Sequence, residues 1–107
     1  MMNRTLRNLW VLILLPLLLA ACVNVQEMEK QKSIDDAVTA RVNAAMEYLR
    51  YDQPNEAKRH LADALQLRPK SPLVQNGLAM LYRYLHDPAN EEKHLKLALS
   101  YDSHFSA

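Results

Sequence analysis

Residues 45–65 read AMEYLRYDQPNEAKRHLADAL, and residues 79–99 read AMLYRYLHDPANEEKHLKLAL. At a shift of 34 residues they match at Ala45/Ala79, Met46/Met80, Tyr48/Tyr82 and Pro54/Pro88. The match goes on at His60/His94, Leu61/Leu95, Ala64/Ala98 and Leu65/Leu99. Self-similarity at a fixed period marks a repeat, in which each unit buries one face on its neighbour. Within the first copy Val38, Val42, Ala45 and Leu49 fall at i, i+4, i+7 and i+11, the apolar stripe of a helix. Ala57, Leu61, Ala64 and Leu65 form a second stripe. Pro54, Pro72 and Pro88 stand where a first helical residue belongs, preceded by Gln53, Ser71 and Asp87. Ser33, with Asp36 three residues on, reads as a capping box with a shortened acid. The spacing predicts an all-α fold, with helices over 34–51, 54–67, 72–85 and 88–101 joined by short turns.

Helical pairs at this period resemble the tetratricopeptide repeat. With Val38 and Pro72 as first positions, Ala45 and Ala79 fill the small-residue slot, and Tyr48 and Tyr82 the aromatic one. Ala57, Leu61 and Ala64 occupy the second helix of unit one, Leu95 and Ala98 that of unit two, and Pro69 closes unit one. Small residues let paired helices approach, and larger ones fill the space beside them. An unrelated pair of helical hairpins is the other fold these residues allow. Two positions depart from the pattern. Glu91 stands in the slot of Ala57, where an unpaired buried carboxylate costs several kcal/mol; it is expected to reach solvent or loosen its helix. Ser103 replaces a closing proline, and His104–Ala107 reads as the start of a third unit. The domain plan is thus a first repeat over 34–70 and a second over 71–107, which ends with the incomplete third unit. Repeat arrays usually need about three units, so the expectation is either a truncated chain or a last face that needs a partner.

The resemblance also implies a binding groove, because the first helix of each unit lines the concave face of such arrays. The corresponding residues are Thr39, Val42, Met46, Leu49 and Arg50, then Leu73, Asn76, Met80, Arg83 and Tyr84. Chaperone-binding arrays clamp a terminal carboxylate with Lys and Asn, which Val42 and Met46 cannot imitate. The expected partner-binding groove (Val42, Met46, Leu49, Leu73, Asn76, Met80, Arg83, Tyr84) is apolar and methionine-lined, suited to a hydrophobic protein segment. The alternative is that these residues, Val42, Leu49 and Leu73 above all, only pack against neighbouring helices.

Towards the N-terminus the pattern changes. Met1–Asn8 holds Arg4 and Arg7 and no acidic residue, the basic start of an export signal. Leu9–Ala21 (LWVLILLPLLLAA) is uncharged, and its 13 residues span about 20 Å as a helix, short of a hydrocarbon core of roughly 30 Å. Pro16 is expected to interrupt that helix. Leu19-Ala20-Ala21-Cys22 resembles the lipobox of bacterial lipoproteins, which signal peptidase II cuts before a cysteine already carrying a diacylglyceryl thioether. On that likeness residues 1–21 are a signal peptide and Cys22 is the lipid-bearing first residue of the mature chain. Each buried CH₂ contributes about 0.8 kcal/mol, so several acyl chains anchor stably where one does not. The other reading is an ordinary leader or anchor helix with an incidental cysteine. Val23, where an Asp would retain a lipoprotein in the inner membrane, implies an outer-membrane, periplasm-facing location. Cys22 and Val23–Ser33 (VNVQEMEKQKS) make a polar tether over 22–33, with a helical extension of the first repeat as the alternative.

Composition narrows the function classes. The 107 residues carry a formal charge of +1, and without Arg4 and Arg7 there remain 11 basic against 12 acidic residues. No basic field is left for nucleic acid, so none is expected as a partner. The sole cysteine forbids an internal disulfide. Four histidines (His60, His86, His94, His104) raise a metal reading, and Glu91 with His94 has an i, i+3 ligand spacing. A di-metal bundle needs several such pairs facing inward, so no metal is expected. No nucleophile–base set assembles, and the lone Gly77 has no phosphate-binding pattern around it and serves close helix approach. The expectation is a protein without enzymatic activity, cofactor or small-molecule substrate.

The lipobox, the tether and then RVNAAMEYLRYDQPNEAKRHLADALQLRPKSPLVQNGLAMLYRYLHDP together resemble the type IV pilus biogenesis and stability lipoproteins. These pilotins escort the pilus secretin to the outer membrane and promote its assembly into a ring. Members are usually longer, with more repeats. The resemblance implies a lipid that directs sorting and a groove that holds a secretin segment. A general tetratricopeptide-repeat scaffold lipoprotein of the envelope, or a truncated product without full activity, are the rival readings.

Overall fold

The computed structural model describes residues 4–102, which are all-α. The helices are α1 (Arg4–Arg50), α2 (Pro54–Leu67), α3 (Pro72–Tyr84) and α4 (Pro88–Tyr101). The three proline-led starts fall where the sequence puts them, because proline lacks an N–H at a position that has no intrahelical acceptor. Ser103 and His104–Ala107, read above as a closing position and the start of a third unit, lie outside the described residues, as do Met1–Asn3.

The chain divides into two units, the first ending at Ser33 and the second beginning at Ile34. All described residues of the first unit are helical and exposed. The helix runs through Pro16 rather than being interrupted there. A proline inside a helix gives up one backbone hydrogen bond and crowds the carbonyl four residues earlier, here that of Leu12. Val23–Ser33 is helical as well, which corrects the tether reading in favour of its alternative. Ser33 therefore lies inside α1 and caps nothing. The reason is compositional: from Ala20 to Gln53 the chain has no Gly or Pro, and Glu, Gln, Lys, Met and Ala are good helix formers. Gln31 Nε2 donates to Glu27 Oε1 at 3.1 Å, an i, i+4 support on this stretch. The run from Asn8 to Gln26 is uncharged. By length and composition α1 could cross a membrane, a property that signal sequences share.

The second unit carries the core. Val38, Val42 and Ala45 of α1, Ala57, Leu61 and Ala64 of α2, and Val74 and Leu81 of α3 form one buried cluster. The small-residue slots are closed, Ala45 at 0% and Ala79 at 2% exposure. Gly77 faces the same cluster; a Cβ built on it would lie 2.8 Å from Leu61 Cδ2 and 3.4 Å from Val42 Cγ1. The single glycine thus lets α3 settle on α1 and α2.

The 34-residue shift is also written in the backbone. Asp52 (φ 58°) and His86 (φ 57°) are left-handed at the same repeat position. At the first turn Asp52 N bonds to Leu49 O and Gln53 N to Tyr48 O; at the second, His86 N bonds to Arg83 O and Asp87 N to Tyr82 O. These bonds satisfy carbonyls that a helix C-terminus otherwise leaves unpaired. The last helix differs from the others. α4 packs on α3 and buries no residue.

Candidate protein-docking cleft

The eight groove residues separate into three groups. Val42 is 4% exposed and belongs to the core, which withdraws it from any groove: it closes against Gly77 of α3. Met46 and Leu49 are partly buried against the same cluster, and Met46 Cε stands 3.9 Å from the Cβ position of Gly77. The first-helix set of unit one is therefore packing surface, because α3 covers it. Arg83 and Tyr84 are engaged in other ways. Arg83 Nε donates to Glu91 Oε1 at 2.7 Å, and Tyr84 OH donates to Asp52 Oδ1. Glu91, the acid in an alanine slot, is thereby paired across the α3–α4 hairpin and partly shielded. Thr39 and Arg50 bond within α1, to Asp35 O and to the Glu47 carboxylate.

Leu73, Asn76 and Met80 remain exposed, and Leu73 and Asn76 open onto a cleft of about 470 Å³. Its other wall is Leu95, Ala98 and Leu99 of α4, closed at one end by Ser71, Pro72 and Asp102. The sequence placed Leu95 and Ala98 in packing slots and matched Leu99 to Leu65, with none of the three in a site. The equivalents Leu61 and Ala64 are fully buried and Leu65 is partly so, whereas Leu95 is 37% and Leu99 47% exposed. The signal that could have found the cleft is the repeat itself: among the described residues no helix lies on α4 as α3 lies on α2.

A second constellation also recurs at the shift of 34. His60 stacks on Tyr48 with ring centroids 5.2 Å apart, and His94 on Tyr82 at 5.3 Å. Arg41 Nη1 donates to His60 Nδ1 at 3.1 Å, which puts the ring proton of His60 on Nε2. One repeat later Gln75 replaces Arg41, and its Oε1 accepts from His94 Nδ1–H at 2.7 Å. These half-buried rings join the two helices of each hairpin. Burial first, and Lys93 second, hold the His94 pKa below its ordinary value, favouring the neutral ring. Buried Gln75 has its amide oxygen satisfied by this bond.

Among the described residues no three His, Cys, Asp or Glu side chains gather at metal-binding spacing. Cys22 and the residues read with it as a lipobox, Leu19, Ala20 and Ala21, are exposed on α1. What the described residues of the second unit offer is an apolar cleft beside paired polar side chains. Comparison with known proteins finds no matching family model, no matching curated protein and no matching solved structure.

Proposed function

We propose that this chain is an envelope lipoprotein, held to the outer membrane through Cys22, whose tetratricopeptide-like hairpins bind a protein partner non-covalently. The partner named by the sequence resemblance is the secretin of a type IV pilus, with the lipoprotein aiding its localisation and assembly. The observation that carries the reading is the exposed apolar cleft between α3 and α4. Leucines at 73, 95 and 99 lie open there, beside an α4 whose other exposed positions include Glu92, Lys93 and Lys96. An apolar surface of that kind on a small domain is a common mark of a protein-binding site. The anchoring half rests on the basic start, the uncharged run and the sole cysteine directly after Leu19-Ala20-Ala21.

The full-length protein, purified from detergent-solubilised envelopes, should bring the secretin with it by mass spectrometry. Cys22→Ala should leave the protein unlipidated and move it out of the membrane fraction. Unchanged fractionation of that variant rejects the anchor. Recovery of other envelope proteins in place of the secretin favours the general scaffold.

A further inference from the structure

We draw no further inference here: the strongest candidate, an acid-sensitive catch formed by the His94 ring between α3 and α4, carries nothing, because a protonated ring keeps both its bond to Gln75 and its stack on Tyr82, and only the direction of its pKa is left to support it.

Discussion

Gly77 illustrates how one missing carbon sets the spacing of three helices. Replacing it by alanine gains helix propensity of about 0.8–1 kcal/mol, which alone argues for stabilisation. Against this, the new Cβ would meet Leu61 Cδ2 at 2.8 Å, and Leu61 is fully buried. Overpacking a closed core costs roughly 1–3 kcal/mol, so Gly77→Ala is expected to lose about 1 kcal/mol overall. Leu61→Val removes the offending methyl at a cost on the order of 1 kcal/mol. In that background the alanine should become neutral or stabilising. Urea titration of the four proteins measures the cycle, and the same sign in both backgrounds would refute the steric account. The role of Gly77 was legible in the sequence, because a lone glycine in a helix without a phosphate-loop pattern leaves few other reasons for it. The histidines were less legible. Their shared repeat position was plain, but that each ring reaches back to stack on the tyrosine of the preceding helix depends on the hairpin's closure, which no local pattern encodes.

Each hairpin starts its second helix with a proline, yet the two residues before those prolines differ in what they do. Asp87 accepts from Asn90 N at 3.2 Å and from Asn90 Nδ2 at 2.7 Å, and these bonds hold its carboxyl below the usual range. Gln53, at the equivalent place on α2, makes no side-chain cap. Its amide oxygen sits one carbon further out than an Asx oxygen would, and two further than a Ser hydroxyl. Gln53→Ser would place a hydroxyl three residues before Glu56, the capping-box arrangement, and should stabilise the protein by about 1 kcal/mol. A thermal melt that does not rise, with helicity unchanged, would count against it. Starts of this kind are written locally, and α2, α3 and α4 begin where their prolines say. The start of α1 was misread for the same reason. Ser33 and Asp36 make a local cap signal, but a cap works only where the preceding residues leave the helix, and none from Ala20 onward is a helix breaker. Local grammar marks permitted starts and does not compel them.

For the molecule as a whole, the uneven placement of burial matters more than any single contact. α3 is covered on one side by α2 and on the other by α4, and buries Val74, Gln75, Gly77, Ala79 and Leu81. α4 is built from the same repeat and buries nothing. The cleft escaped the sequence reading because whether Leu95, Ala98 and Leu99 are core or surface depends on what lies beyond them, not on their own identity. The groove residues of the first hairpin were misplaced for the mirror-image reason: α3 already occupies that face. Such asymmetry implies a gradient of local stability, since segments with few buried contacts open at lower free energy than the core. Native-state hydrogen exchange on the full-length protein should find the amides of α4 exchanging well ahead of those of α3, with the amides over Gly77–Leu81 among the slowest of the second unit. Among what ties α4 to α3 are the bonds from Arg83 to Glu91 and from His94 to Gln75, beside the stack of His94 on Tyr82. Arg83→Ala should therefore speed exchange in α4 and leave α2 unchanged. Equal protection of α3 and α4 in the wild-type chain would mean that α4 is held by more than its contacts with α3, and the cleft would not be the loosely closed edge described above.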